Sequence, residues 1–218
     1  TTVLSLPPDR ITVIPLAPRW PGPMTPAPAR LASLPEIYFL HLGNLEPRKN
    51  LLVLLDAWQL LPARLQENAA LVLAGPLGSG DAAYWATLRD HPAAPAVRVA
   101  GYLGDRDVHA LLTGATALLA PSRYEGFGLP ILEAMACDTC VIHSSAGAYP
   151  EVAADAASSV DPDDVDGWAA TIHRTAEDSA WRAGRILAGR RRTAEFSWQR
   201  TAANHARELS AFASNHCP

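Results

Sequence analysis

PSRYEGFGLPILE, residues 121–133, places Glu125 and Glu133 eight positions apart around a glycine-rich turn. The apolar run ATALLA at 115–120 precedes it and is typical of a buried strand in a parallel sheet. Pro130 fits the first position of a helix, where its missing N–H costs nothing. The stretch therefore predicts a strand, a turn and a helix, with Glu125 in the turn and Glu133 in about the first helical turn.

The turn between the two glutamates suits a ligand that carries phosphate and hydroxyl groups. Gly126 and Gly128 let backbone N–H groups approach a ligand closely, and the helix N-terminus that follows favours an anion. An acidic side chain nearby is suited to the diol of a sugar or a ribose. A phosphate-bearing sugar matches all of these features, and the alternative is a structural turn with two solvated glutamates.

The remainder of the chain predicts an α/β domain with a doubly wound, parallel, Rossmann-like sheet, because apolar strands alternate with helices and short loops. The expected strands are 37–42, 71–74, 97–99, 115–120, 140–143 and 158–160. The expected helices are about 50–61, one from Asp81, one capped by Asp105 to 114, 130–137, 163–176 with Asp163 as N-cap, 180–195, and one capped by Ser197. Ligands bind beyond the carboxyl ends of such strands, so loops 43–50 and 121–129 are expected to converge on one ligand.

The first 35 residues differ in composition, because they contain nine of the 19 prolines. Such a segment is extended and cannot form a core helix, although residues 10–15 predict one short strand. We therefore divide the chain into a proline-rich N-terminal segment (1–35), a Rossmann-like domain (36–196) and a C-terminal helix (197–218). The chain starts at Thr1 without a Met, which suggests a processed chain or half of a larger protein.

Bulk composition excludes several functional classes. The formal net charge of −4 argues against a nucleic-acid scaffold, which needs a basic face. No apolar run approaches 18 residues, so no membrane span is predicted, and no secretory signal is visible. Three cysteines are too few for a disulfide scaffold and suit a reducing compartment, so we expect a cytoplasmic protein.

A second loop contains candidate functional residues: GNLEPRKN at 43–50, which follows the first strand of the sheet. Lys49 in this loop is the only lysine among 18 basic residues. A lysine in a chain that otherwise uses arginine suggests a need for a compact point charge, such as the binding of a diphosphate. The alternative is a loop cation that is simply solvated.

The stretch around Glu125 and Glu133 resembles the Glu-x7-Glu signature of retaining glycosyltransferases of the GT-B fold, the large group 1 family that uses nucleotide-diphosphate sugars. The resemblance implies that Glu125 contacts the donor sugar and that Glu133 holds the ribose hydroxyls. It also implies that backbone amides of the intervening residues meet phosphate and sugar: Gly126, Phe127, Gly128 and Leu129.

The loop EPRKN after a strand and a glycine is typical of the same family. This resemblance implies that Lys49 contacts the diphosphate, with Arg48 as a helper or ion-pair member. It also makes Gly43, in the same loop, a donor-binding residue. Many relatives carry arginine directly after that glycine, where this chain has Asn44, so neutralisation of phosphate rests more heavily on Lys49 and the helix N-terminus. By the same resemblance, Gly75 and the loop at 101–104 line the nucleotide pocket. Base contacts there fall to Tyr102 and Leu103, unless both are ordinary turn residues.

Three further groups have simpler interpretations. Cys137 and Cys140, with His143 nearby, form a weak zinc or redox pattern and are expected to be small buried residues. Asp161-Pro162-Asp163 precedes a helix and is interpreted as a cap. No metal site or cofactor is expected, since the resemblance implies metal-independent chemistry. The run at 190–192 predicts a solvated arginine face, with peripheral contact to anionic lipid at the inner face of the membrane as the alternative.

With the resemblance, these features predict the donor-binding, C-terminal half of a GT-B glycosyltransferase that transfers sugar to a glycan or lipid-linked acceptor. The resemblance implies that residues 36–196 are its nucleotide-sugar-binding domain and that residues 1–35 include the interdomain passage. The expected partners are a nucleotide-sugar donor and an N-terminal acceptor domain or partner half. The EPRKN loop favours mannosyltransferase-like relatives that use GDP-mannose. The alternatives are a non-catalytic nucleotide-sugar-binding or regulatory module and a sugar-nucleotide epimerase-like domain. A dinucleotide-dependent oxidoreductase would need Gly-x-Gly-x-x-Gly after its first strand, which the loop at 43–50 lacks.

Overall fold

The computed structural model describes residues 7–20, 34–80 and 82–216. Its sheet is built from β1 (Ile37–Leu42), β2 (Ala69–Ala74), β3 (Val97–Gly101), β4 (Ala117–Ala120), β5 (Cys140–Ser144) and β6 (Ser158–Val160). All pairings are parallel and the strand order is β3-β2-β1-β4-β5-β6. The predicted doubly wound α/β architecture is confirmed.

Helices separate most of these strands along the chain. They are α1 (Leu51–Gln59), α2 (Ala63–Asn68), α3 (Ala82–Arg89), α4 (Asp105–Gly114), α5 (Leu129–Ala136), α6 (Tyr149–Ala153), α7 (Val165–Glu177), α8 (Ser179–Thr193) and α9 (Trp198–His216). The short helices α2 and α6 were not predicted, because five or six residues are too few for a helical period to stand out. The other described helices lie within a few residues of their predicted positions.

Two apolar layers hold the helices against the sheet. Side chains alternate between the faces of a strand, so Phe39 and Leu40, both fully buried, point to opposite sides. Trp58 of α1 and Trp168 of α7 pack in the layer that contains Phe39, whereas Leu111 of α4 packs in the layer that contains Leu40. Burial on both faces explains why the central strands are nearly continuous apolar runs.

The sheet reverses its order between β1 and β4, and this reversal positions the site. The two strands pair directly, with Phe39 opposite Ala117. The chain leaves β1 toward α1 and leaves β4 toward α5, which lie on opposite faces of the sheet. A crevice opens where two neighbouring strands diverge in this way. The loops after β1 and β4 therefore begin side by side, as predicted.

The prediction of a strand at 10–15 is wrong. Residues 11–18 follow a 3₁₀ turn at Pro8–Arg10 and carry no strand assignment. Their contacts go to α9: the Thr201 hydroxyl donates to the Pro15 carbonyl at 2.7 Å, and the Trp198 indole N–H donates to the Pro18 carbonyl at 3.1 Å. A helix offers side chains rather than a row of free backbone groups, so this segment is extended without joining the sheet.

Several helix starts differ by one residue from their predicted positions. The N-cap of α7 is Asp164, not Asp163, and its carboxylate accepts the Gly167 N–H at 2.9 Å. Helix α4 begins at Asp105 itself, without a side-chain cap, and Pro130 is the second residue of α5. Ser197 does cap α9, since its hydroxyl accepts the Arg200 N–H at 3.2 Å.

The two adjacent aspartates before α7 provide a test of this assignment. Asp164→Ala removes a capping hydrogen bond and should lower the free energy of unfolding by about 1 kcal/mol. Asp163→Ala breaks only an exposed ion pair with Arg123 and should therefore cost less than Asp164→Ala. Urea denaturation of both variants measures the difference, and a larger loss for Asp163→Ala would contradict the structural assignment.

Candidate functional site

The loops after β1 and β4 bring three charged side chains together. The Lys49 ammonium donates to Oε1 of Glu125 at 2.5 Å, and the Arg48 guanidinium donates to the same oxygen at 3.1 Å. The Lys49 and Glu125 side chains are only 7% and 13% exposed, so water screens their attraction weakly. The structure thus joins two residues that the sequence analysis placed in separate loops.

Local backbone geometry explains why Lys49 points inward. Pro47 to Lys49 form a single 3₁₀ turn, and Asn50 then adopts a left-handed conformation with φ 56° before α1 begins. The Asn50 side chain donates to the Pro162 carbonyl at 2.7 Å and so fixes this bend. The Arg123 N–H donates to the Arg48 carbonyl at 2.9 Å and ties the two loops together.

The environment of Glu125 favours its ionised form. Burial raises the pKa of its carboxyl, but the hydrogen bond and charge of Lys49, with help from Ser122 and Arg48, outweigh burial and hold the pKa below its usual value. The carboxylate is therefore charged at neutral pH and suited to accept hydrogen bonds from sugar hydroxyls.

His41 adjoins this cluster and was not singled out from the sequence. Its ring is buried, and Nδ1 donates to the Leu119 carbonyl at 3.1 Å. Burial and the nearby Lys49 charge lower its pKa to about 4, so the ring is neutral and Nε2 is an acceptor. Among the described residues, this Nε2 has no hydrogen-bond partner. A histidine inside an apolar strand, two positions before Gly43, was the only available signal.

Glu133 lies apart from Glu125, in the second turn of α5. Its side chain is 3% exposed and forms part of the wall of a cavity of about 390 Å³. Six of the predicted donor-binding residues line this cavity: Gly43, Gly75, Tyr102, Leu103, Leu129 and Glu133. The two glutamates therefore occupy different parts of the site and do not share a proton.

Gly43 joins the cavity to the charged cluster. A Cβ atom at this position would lie 3.3 Å from the Lys49 Nζ, so the ammonium adjoins the cavity wall. Tyr102, which also lines the cavity, is 81% exposed, which leaves its ring available to stack on a planar ligand. The site thus combines an aromatic ring and a buried carboxylate in the cavity wall with a cation and a second carboxylate beside it.

Two glycines are required by close backbone approach. Gly75 has φ +144°, and a Cβ there would lie 2.0 Å from the Gly43 carbonyl oxygen. Gly128, the N-cap of α5, has φ +97°, and its Cβ would lie 2.7 Å from the Tyr149 ring. Both turns need a residue without a side chain, whatever ligand the site binds.

Four predicted donor residues belong neither to the lining of the large cavity nor to the charged cluster: Asn44, Gly126, Phe127 and Gly128. Asn44 is exposed. Gly126 and Phe127 line a separate cavity of about 290 Å³, where the Phe127 ring packs edge-to-face on Phe196 at 6.3 Å. Gly126 has no side chain, so any contact that it makes with a donor must come from its backbone.

The structure adds Arg19 and Asp105 to the wall of the large cavity. The Arg19 guanidinium forms ion pairs with two carboxylates: its Nε lies 3.2 Å from Oε1 of Glu133, and it also pairs with Asp105. The sequence carried little sign of this, since Arg19 lies in the proline-rich segment far from Glu133. Only its flanking pair, Pro18 and Trp20, marks the position as unusual.

Cys137 and Cys140 are small buried residues, as predicted. Both are free thiols, and burial raises the pKa of Cys140 to about 11. Across residues 7–20, 34–80 and 82–216, no three His, Cys, Asp or Glu side chains are grouped to hold a metal ion. Cys217 lies outside the described residues.

The arginine run at the end of α8 is not a purely solvated face. Arg190 forms a bidentate ion pair with Asp138, and Arg192 donates to the carbonyls of Glu151 and Val152. Only Arg191 is left as an exposed cation without an assigned contact in the described structure. Among all the residues that the structure describes, no helix has both the length and the apolar character to cross a bilayer. Peripheral contact with lipid stays a prediction.

Several known proteins are similar in sequence to this chain. The family of glycosyl transferases group 1 matches residues 28–192. O-antigen chain mannosyltransferase B of Escherichia coli is 36% identical over 203 residues, which cover 90% of this chain and 53% of that protein. MMP alpha-(1->4)-mannosyltransferase of Mycolicibacterium hassiacum is 43% identical over 113 residues, covering 49% and 27%. The chain thus spans about half the length of the first of these relatives.

Solved structures show the same fold. Sucrose-phosphate synthase from Thermosynechococcus elongatus superposes with a TM-score of 0.76 at 25% identity, covering 89% of this chain and 50% of the other. The C-terminal domain of the group 1 glycosyl transferase LpcC from Francisella tularensis superposes with a TM-score of 0.66 at 19% identity, covering 80% and 94%. The chain belongs to the group 1 glycosyl transferases and has the fold of the C-terminal domain of a GT-B enzyme.

Proposed function

We propose that this chain is the donor-binding half of a retaining glycosyltransferase that uses a nucleotide-diphosphate sugar. The observation that carries the proposal is the placement of Lys49, Arg48 and Glu125 beside a cavity that contains Glu133. A cavity with one carboxylate, adjoined by a cation and a second carboxylate, matches a donor that carries a ribose, a diphosphate and a sugar.

In this proposal the nucleoside occupies the cavity of about 390 Å³. The exposed ring of Tyr102 and the neighbouring Leu103 contact the base. The Glu133 carboxylate accepts hydrogen bonds from the ribose hydroxyls at the middle of the cavity. Gly43 and Gly75 allow the backbone to approach the ribose and phosphate without a side chain in between.

The diphosphate is placed against Lys49 and the N-terminus of α5. Negative charge grows on the diphosphate as the bond to the sugar breaks, and fixed positive charge stabilises that change. To contact the phosphate, Lys49 must exchange part of its interaction with Glu125 for the new anion. Arg48 continues to hold Glu125 during this exchange, because it reaches the same oxygen. The chain's own cations and helix N-terminus, rather than a metal ion or cofactor, are assigned this role.

Glu125 is assigned the donor sugar. Released from Lys49, its carboxylate accepts hydrogen bonds from sugar hydroxyls and orients the ring while the anomeric carbon becomes oxocarbenium-like. We favour this positioning role, with attack by the acceptor on the face that the diphosphate leaves, over a covalent intermediate on Glu125.

The donor and acceptor are assigned from the relatives. Proteins similar to this chain carry the names O-antigen chain mannosyltransferase B and MMP alpha-(1->4)-mannosyltransferase. These names support mannose as the transferred sugar, and together with the EPRKN loop they lead us to propose GDP-mannose as donor and a glycan or lipid-linked glycan as acceptor. Because the chain spans about half of the first relative, we assign acceptor binding to an N-terminal domain or a partner half.

A thermal-shift panel of GDP-, UDP-, dTDP- and ADP-sugars tests donor binding. A ligand at about 100 times its Kd should stabilise the chain by about 2.7 kcal/mol, which raises the Tm of a chain of this size by roughly 5–10 °C. Only GDP-mannose is expected to give the full shift. Glu133→Gln should reduce the shift, whereas Glu177→Gln, an exposed glutamate at the end of α7, should leave it intact.

Two outcomes would contradict the proposal. If no nucleotide sugar shifts the Tm, the non-catalytic alternative without a donor site is favoured. If the purified 218-residue chain transfers sugar efficiently by itself, the assignment of acceptor binding to a separate half is wrong. A radiolabelled-sugar transfer assay on the same preparation measures the second point.

A further inference from the structure

Arg19 connects the proline-rich segment to the wall of the nucleotide cavity. Its guanidinium contacts Glu133 on α5 and Asp105 at the start of α4. The two carboxylates flank the cavity from different helices, and both line it. A single cation from outside the sheet thus offsets part of the negative charge of these two carboxylates at the proposed ribose site.

The surrounding structure holds Arg19 in this position. The Trp198 indole of α9 donates to the carbonyl of Pro18, directly before Arg19. On the other side, the Trp20 ring lies 4.9 Å from the guanidinium carbon and packs edge-to-face on His109 of α4 at 5.2 Å. These contacts of Pro18 and Trp20 hold the backbone on both sides of Arg19 and so direct its side chain toward the cavity wall.

The charge on Glu133 depends on this contact. Burial raises the pKa of the Glu133 carboxyl above its usual value, Arg19 opposes this shift by charge and hydrogen bonding, and Asp105 adds to it. Cys137, four residues after Glu133, is a buried thiol whose pKa is raised by burial, and a thiol can ionise only to an anion. Tyr102 lines the same cavity and has no basic group. Arg19 is therefore the positive group that the described structure places on Glu133.

The protonation state of Glu133 matters for a diol. A carboxylate offers two acceptor oxygens to two hydroxyl donors, whereas a neutral carboxyl uses one oxygen as a donor itself. The ion pair with Arg19 falls on Oε1 of Glu133, at 3.2 Å. The remaining acceptor capacity is then available to a ligand in the cavity.

We propose that Arg19 is a positioning residue of the donor site that acts through Glu133, keeping its carboxylate ionised so that it accepts both hydroxyls of a nucleotide ribose. The proposal rests on the function proposed above. It makes the proline-rich segment a working part of the nucleotide site, in addition to a passage between domains.

The first test measures Glu133 without any ligand. The chain is labelled with ¹³C at the glutamate carboxyl carbons, and the Glu133 signal is identified by its loss in Glu133→Gln. The midpoint of its pH titration should rise in Arg19→Gln and should return close to the parent value in Arg19→Lys, which keeps the positive charge. Arg89→Gln, which breaks an exposed ion pair elsewhere, should leave it unchanged. An unchanged midpoint in Arg19→Gln overturns the proposal.

The second test measures GDP and UDP affinity by calorimetry between pH 5 and pH 8. Each unit of rise in the Glu133 midpoint should weaken binding to Arg19→Gln about tenfold at pH values below both midpoints. The loss should disappear at pH values above both, and Arg19→Lys should restore binding. Tighter binding to Arg19→Gln would show that Arg19 blocks the ribose site, and a loss that is the same at every pH would show a purely structural role. Either result overturns the proposal.

The two tests separate this proposal from the proposed function. If the parent chain binds neither nucleotide, the donor-binding function fails and Arg19 loses its assigned role with it, even if the Glu133 midpoint moves. If the parent binds nucleotide but Arg19→Gln titrates and binds like the parent, only the role of Arg19 fails.

Discussion

Replacement of Lys49 by alanine is expected to weaken binding of a nucleotide-diphosphate sugar roughly ten- to hundredfold, the value of about 1.5–3 kcal/mol for a hydrogen bond to a charged group. Binding of the bare nucleoside should change little, since we propose that the nucleoside binds in the cavity that contains Glu133, whose lining does not include Lys49. Calorimetry with GDP-mannose and with guanosine measures the two losses.

The neighbouring residue provides a matched control for Lys49. Arg48 reaches the same Glu125 oxygen, but its side chain is 45% exposed against 7% for Lys49. Water screens its charge, so Arg48→Ala should weaken donor binding less than Lys49→Ala. Equal losses for donor and nucleoside in Lys49→Ala, or a larger loss in Arg48→Ala, would count against a phosphate role for Lys49.

Loss of Lys49 should also change how stability depends on pH. The pKa of Glu125 is held below its usual value in the folded chain, so its ionisation stabilises the fold above the unfolded value of about 4.3. That stabilisation is lost as the pH falls through the folded pKa. In Lys49→Ala the pKa moves upward, so the variant should be less stable at neutral pH and should lose less further stability on acidification. Urea midpoints at pH 7 and pH 4 measure both effects.

Gly75→Ala should be among the most destabilising single substitutions in the chain, with a cost of about 4 kcal/mol or more. The new Cβ would lie 2.0 Å from the Gly43 carbonyl oxygen, a backbone atom that moves only if the loop after β1 moves. The residue also has φ +144°, which L side chains rarely adopt. Urea denaturation of the purified variant measures the loss.

Gly101→Ala is the control for backbone strain without a collision. Gly101 has φ +66°, but a Cβ there would meet no atom within 4 Å. It should cost about 1–2 kcal/mol, the penalty for a left-handed residue with a side chain. Similar costs for the two variants would show that the approach of Gly75 to Gly43 is not the source of the destabilisation.

The sheet could be predicted from the sequence because its signals are local and repeated. The strands at 37–42 and 158–160 were predicted with their observed bounds, since each is a short run between turn residues. The wrong strand at 10–15 has the same local pattern. Whether such a run becomes a strand depends on a neighbouring edge with free backbone groups, and the partner of this segment is α9. A partner distant in the chain leaves no mark on the local pattern.

In the candidate site, too, some features could be predicted from the sequence and others depend on the tertiary structure. The glycine turns, the single lysine and the two glutamates are marked by residue type and spacing, so the sequence by itself determined the fold class and the candidate residues of the donor site. The tertiary structure alone decided which charges meet: Lys49 and Arg48 reach Glu125 because β1 and β4 are neighbours. It likewise placed Arg19 on Glu133, through contacts of α9 and α4 with the segment around Arg19. The reason is physical, since the strength of a charge pair depends on distance and burial, and both are set only when distant parts of the chain pack together.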